Sequence, residues 1–128
     1  MTILLDTHLL LWAAIGSRRL PKAAAKTIKD PANNLVFSAA NIWEIVIKGG
    51  LGRSDFRVNP NVLRTRLLEN GYSELPITTE HTLAVAGLPS FHKDPFDRIL
   101  IAQASVEGYV LLTADPVLAQ YSGPIIKV

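Results

Sequence analysis

Five short runs of strand character recur along the chain, at Thr2–Leu5, Leu35–Phe37, Leu75–Ile77, Tyr109–Thr113 and Ile125–Val128, separated by segments of helical pattern. Short apolar strands alternating with helices of about ten residues predict a parallel sheet covered by helices on both faces. The helical segments carry their own punctuation. Pro21 opens one that ends at Asp30-Pro31, and Ser38 or Asn41 caps another that runs through Trp43 to Lys48 and stops at Gly49-Gly50. Asn59-Pro60 opens a third, ended by Asn70-Gly71, and Thr79–Ala86 a fourth. Pro95–Glu107 is the best specified, with Asp94 as cap, Pro95 at the first helical position and Gly108 beyond the end. Leu9–Trp12 reads as an apolar helix, Asp115-Pro116 as the start of a short one, and Gly52–Val58 as a basic loop. Pro76 marks its strand as an edge.

Four acids fall at the junctions of these elements. Asp6 closes the first strand, Glu44 lies one turn inside the helix opened by Ser38, Asp97 sits in the first turn after Asp94-Pro95, and Asp115 follows Val110–Thr113. Parallel sheets carry their sites at the carboxyl ends of the strands. Each acid also has a purely structural role open to it: Asp6 and Asp115 as caps, Asp97 as a charge at a helix N-terminus, Glu44 as the partner of a solvent-facing pair with Lys48. Together they describe one acidic pocket, which suits a hard divalent cation such as Mg²⁺ or Mn²⁺. Such an ion can neutralise a phosphate and acidify a bound water.

The 128 residues suit one domain, 1–128, with 48% hydrophobic and 19% charged residues, as in an ordinary globular protein. Zero cysteines exclude disulfides and thiolate metal sites. His8, His81 and His92 are too few and scattered for a zinc site, and no Walker, GxGxxG or GxSxG pattern occurs. The apolar start is broken by Asp6 and His8, and the run Leu9–Ile15 is far short of a membrane span, so a soluble, cytoplasmic protein is expected. Net charge is only +2, yet removing the four acids from the 11 acidic residues leaves seven against 13 Lys and Arg. A basic surface around an acidic hole suits a polyanion whose phosphate must reach a metal.

The segments LLDTHLLLW (Leu4–Trp12), SAANIWEIVIK (Ser38–Lys48), HKDPFDRILIAQA (His92–Ala104) and LLTAD (Leu111–Asp115) together resemble PIN-domain ribonucleases, and more closely the VapC-type toxins of toxin-antitoxin pairs. The DPFDR block is the most specific of them. The resemblance spans essentially the whole chain and implies a three-layer α/β/α fold with a central parallel sheet of four to five strands. It implies a Mg²⁺- or Mn²⁺-dependent endoribonuclease of a type II toxin-antitoxin system, with RNA as substrate, a cognate antitoxin whose tail covers the pocket, and a homodimer. Asp6, Glu44 and Asp97 match the family's acids in turn, and Asp115 its fourth, more variable position. Thr7 and Ser38 resemble small hydroxyl residues flanking such pockets, a role that a place at the start of a helix explains equally well, and Asp94 is a fifth acid better read as a cap. Arg53, Arg57, Arg64 and Arg66 are expected to steer RNA. Leu9, Leu10, Trp12, Ile42, Trp43 and Val46 offer either an apolar groove or simply core. The competing readings are a receiver-like Mg²⁺-binding regulatory domain and a catalytically silent RNA-binding module.

Overall fold

The order of the strands sets where a site can form. The computed structural model describes residues 1–128. Its five strands are β1 (Thr2–Leu5), β2 (Asn34–Ser38), β3 (Ser73–Leu75), β4 (Val110–Thr113) and β5 (Ile125–Lys127), all parallel, in the order β3-β2-β1-β4-β5. The chain builds outward from β1 to β2 and β3, then returns across the sheet to place β4 on the other side of β1. That reversal leaves a crevice beyond the carboxyl ends of β1 and β4. Asp6 follows β1 there, its N–H donating to the Leu112 carbonyl at 3.0 Å.

The helices are α1 (Thr7–Ile15), α2 (Lys22–Lys29), α3 (Ala39–Gly50), α4 (Pro60–Glu69), α5 (Thr79–Val85) and α6 (Pro95–Glu107). Alternation along the strands divides the core in two. Ile3, Leu5, Phe37 and Leu112 face a cluster with Leu9, Leu10, Ile45, Phe56, Leu63 and Leu67, whereas Leu4, Val36 and Leu111 face Ile99, Leu100, Ile101 and Ala104 of α6. The result is three layers, helix, sheet and helix, with near-continuous apolar strands because both faces are covered.

Several boundaries differ from the sequence reading by a residue or more, some of them for a local reason. β3 ends at Leu75 instead of running to Ile77, because Pro76 has no N–H for the ladder. The segment after Asp115 forms only a 3-10 turn at Leu118–Gln120, with Asp115 Oδ1 accepting from the Val117 N–H at 2.8 Å. α3 ends at the expected Gly49-Gly50, with Gly50 as its last residue and Gly49 still inside it. A Cβ at Gly49 would meet the Phe56 carbonyl oxygen at 3.0 Å, so this glycine allows the 3-10 turn Ser54–Phe56 to approach α3. The apolar stretch around Trp12 and Trp43 also divides: Leu9 and Leu10 are core, Trp12 and Ile42 pack half-buried against it, and Trp43 (55% exposed) and Val46 face outward. No helix is long and apolar enough to cross a membrane.

Candidate functional site

The DPFDR block shows how one short sequence serves several functions at once. Asp94 caps α6, its Oδ1 accepting from the N–H groups of Phe96 (2.8 Å) and Asp97 (3.3 Å), and Pro95 takes the first helical position. Phe96 turns inward, edge-on to Trp43 at 5.0 Å between centroids. Asp97 points into the crevice. Arg98 folds back, its guanidinium donating to the carbonyls of Val85, Leu88 and Pro89 and to the Tyr121 hydroxyl, which itself accepts from the His92 N–H. The loop entering α6 is thereby held against the helix it precedes.

Asp97 is the hub of the acidic residues. Its ligand atoms lie within 4.8 Å of those of Glu44 and Asp94 on one side, and of His92 and Asp115 on the other. Asp6 belongs to neither group. Both its oxygens are engaged, Oδ1 by the Leu9 N–H at 2.9 Å and Oδ2 by the Thr113 hydroxyl in a very short hydrogen bond. It is nonetheless close enough for its charge to act on Asp97. Glu44 is only 2% exposed, so its pair with Lys48 is not the solvent-facing one that its i,i+4 spacing suggests. Its Oε1 accepts from the Thr7 hydroxyl at 2.5 Å, and Asn41 Nδ2 in turn donates to Thr7 Oγ1 at 2.9 Å. Asn41 also accepts from the Ser38 N–H, and the Ser38 hydroxyl donates to Gln103 of α6 at 2.6 Å. Thr7 and Ser38, singled out as hydroxyls near the pocket, thus form a buried chain that fixes Glu44, with no buried side-chain polar atom left unpartnered.

Electrostatics favours a cation at Asp97. Burial, and then the charges of Asp94, Glu44 and Asp6, push its carboxyl up to about 8 despite the opposing charge of Lys48. Burial likewise raises Asp6, against the hydrogen bonds from Thr113 and Leu9. Burial also works against Asp94, but its hydrogen bond and charge interaction with Lys48 win and hold it below the usual carboxylate range. Around the crevice stand Asp6, Glu44, Asp94, Asp97 and Asp115 with the single ammonium of Lys48. Hard oxygen donors with an unbalanced negative charge match a small divalent cation.

Two neighbours were not identified as site residues from the sequence. His92, dismissed with the other histidines as scattered, has Nε2 at 2.9 Å from Asp97 Oδ2 and 3.4 Å from Asp115 Oδ2. Its Nδ1 accepts from the Asp94 backbone N–H at 3.1 Å, so in the neutral ring Nε2 carries the proton and acts as a donor between two carboxylates, not as a metal ligand. Lys48 Nζ lies 2.6 Å from Glu44 Oε2 and 2.7 Å from Asp94 Oδ2. A proline-marked loop before a helix and a glutamate four residues before a lysine were the available signals. Neither states which distant acid it would meet. His8 is in neither acidic group; it lies against Asp55 at 3.3 Å and the ring of Phe56, near enough to Asp6 for its charge to act there.

The basic residues separate as well. Arg53 pairs with Asp55 and Arg64 with Glu74, so these two are partly neutralised locally. Arg66 lines a hollow with Ala13 and Ala14 at the end of α1 opposite Asp6, remote from the crevice. Arg57 follows the Phe56 turn, has no acidic partner and remains available to a polyanion.

The sequence matches the PIN domain family over residues 3–124. Ribonuclease VapC22 of Mycobacterium tuberculosis is 29% identical over 124 residues, which cover 96% of this chain and 94% of that protein. The fold is shared with VapBC2 from Rickettsia felis bound to a promoter DNA fragment (TM-score 0.72, 12% identity, 99% of this chain and 98% of that one). It is shared also with a toxin-antitoxin complex from Klebsiella pneumoniae (TM-score 0.63, 20% identity, 98% and 96%).

Proposed function

This chain belongs to the PIN-domain family, and from that premise we propose that it is a metal-dependent endoribonuclease, the toxin of a type II toxin-antitoxin pair, with residues 1–128 working as one unit. Its substrate is RNA and its partners are a cognate antitoxin and a second copy of the chain, in the cytoplasm. One observation carries the chemistry: Asp97 stands at the strand crevice with its ligand atoms within 4.8 Å of those of Glu44 and Asp94 on one side and of His92 and Asp115 on the other, a cluster that would suit a divalent cation.

Asp6, Glu44, Asp97 and Asp115 are the proposed metal-binding and catalytic acids. Mg²⁺ or Mn²⁺, when bound, would neutralise the scissile phosphate and lower the pKa of the attacking water. The chain's own work is preparatory. Asp97, raised to about 8 by burial and then by the neighbouring acids, would release its proton to solvent on binding the ion, and His92 Nε2 lies where its N–H can donate to Asp97 and Asp115. Thr113 and the Leu9 N–H fix Asp6, and Thr7 fixes Glu44, so little reorganisation remains when substrate arrives. Arg57 attracts backbone phosphate without reading sequence.

A receiver-like regulatory domain would need a lysine from a late strand at the acids. Lys127 is exposed on the edge strand β5, and the lysine that meets the acids, Lys48, comes from a helix. The nuclease reading is tested by expressing the chain alone in bacteria and by incubating the purified protein with RNA and Mn²⁺. Growth arrest and cleavage are expected, both lost on chelation or in Asp97→Asn with the fold intact. A folded Asp97→Asn protein that cleaves as the wild type does would overturn the assignment.

A further inference from the structure

Lys48 has more partners than a helical ion pair requires. Its ammonium touches Glu44 from its own helix and Asp94 from the loop before α6, and it stands 5.3 Å from the Phe56 ring centroid and 5.6 Å from that of Phe96. Its side chain is only 16% exposed. Four segments of chain therefore converge on one cation: α3, the turn at Ser54–Phe56, the cap of α6 and its first turn. Two carboxylates and two aromatic faces balance the loss of water around the ammonium, as a buried charge requires. Glu44 and Asp94 are also two of the three members of the all-oxygen group that would otherwise attract an ion.

We propose that Lys48 is a built-in cation that stands in for a second metal ion, so that the centre takes one divalent ion per chain, at the carboxylate oxygens Lys48 does not touch. This rests on the metal-dependent reading above and settles how many ions that reading needs. An ion seated against Glu44 Oε2 or Asp94 Oδ2 would lie next to the ammonium, with twice the repulsion of two unit charges at the same separation. Leaving is also disfavoured. Both carboxylates hold the ammonium by short, charge-assisted bonds, and swinging outward would break both and leave Glu44 buried without its counter-charge. Glu44 Oε2 and Asp94 Oδ2 are then occupied by the protein's own cation, while Asp97 and Asp115, which the ammonium does not touch, are left for the metal.

The test is the number of Mn²⁺ ions bound to the full-length chain, read from the electron paramagnetic resonance signal of free Mn²⁺ during titration and from calorimetry. The wild type and Lys48→Arg are expected to bind one ion per chain. Lys48→Met and Lys48→Gln, which remove the charge, are expected to bind two, the second more weakly. Circular dichroism identifies which of the two neutral variants keeps the native fold, and glutamine retains a polar group between the carboxylates if methionine disrupts them. Two ions on the wild type overturn the inference without any variant, while leaving the nuclease reading standing. A folded neutral variant that still binds one ion reduces Lys48 to a structural clamp and also overturns it. No ion on the wild type overturns the metal-dependent reading and this inference with it.

Discussion

Asp97 is where the cost of assembling the site is concentrated, and its ionisation gives the sign of a measurable effect. The carboxyl moves from 3.8 up to about 8, through burial first and then the charges of Asp94, Glu44 and Asp6. The folded state thus holds this proton more tightly than the unfolded chain. Its contribution to stability is complete below pH 3.8 and is lost progressively as pH rises towards about 8. Asp6, also raised, acts in the same direction, and Asp94, lowered through Lys48, acts in the opposite one, losing its contribution as pH falls. Without metal, the melting temperature of the wild type is therefore expected to decline across the neutral range, and Asp97→Asn to flatten that decline. A neutral amide in the same place removes both the repulsion and the titration. Melts in chelator between pH 5 and about 8.5 decide it; an unchanged slope in the variant would place the proton elsewhere.

At the scale of single elements, α3 shows what a linear reading captures and what it loses. The cap at Ser38 or Asn41 was legible, because capping is a local property, and Ser38 takes it with Asn41 closing the capping box, whereas which of Ile42, Trp43 and Val46 would be buried was not. The stop at Gly49-Gly50 was legible, since the helix ends at Gly50, but the separate role of Gly49 was not, because a glycine retained for close approach looks in sequence like one that ends a helix. The structure separates the two residues. Gly50 has open space where a Cβ would stand, whereas Gly49 faces the Phe56 carbonyl at 3.0 Å. Alanine at position 50 is expected to stabilise the protein by roughly 0.5–1 kcal/mol through helix propensity. At position 49 the same gain is offset by displacement of the Phe56 turn, leaving Gly49→Ala less stable than Gly50→Ala by about 1 kcal/mol. Denaturant titrations of the two variants measure the difference, and equal midpoints would refute the close-approach argument. The same limit applied to the site. The four acids could be picked out because strand ends and helix starts are local signals. Lys48 and His92 could not, because what defines them is the pairing of α3 with the cap of α6 and of that loop with the end of β4.

For the whole molecule, the decisive property is that the acids come from segments remote in sequence and meet only when the sheet has formed. Asp6 follows β1, Glu44 lies in α3, Asp97 opens α6 and Asp115 follows β4. An unfolded chain disperses them, so a divalent ion binds the native state almost alone and stabilises it by mass action, by about 2.7 kcal/mol when its concentration is 100 times Kd. For a chain of this size that corresponds to a rise in melting temperature of roughly 10 °C. The rise must depend on pH. Below neutrality the ion competes with the proton on Asp97, and that competition fades as pH approaches about 8. Mn²⁺ or Mg²⁺ is therefore expected to raise the melting temperature more at pH 8 than at pH 6. Asp97→Asn should remove most of the increment and Asp115→Asn part of it. Asp94→Asn should leave most of it, since asparagine still caps α6 and Asp94 is already occupied by Lys48. Thermal melts over a metal and pH grid test all three variants together. A wild type indifferent to the metal would remove the binding centre altogether, and a response lost with Asp94 but kept without Asp97 would move it from the crevice between β1 and β4 to the Lys48 side.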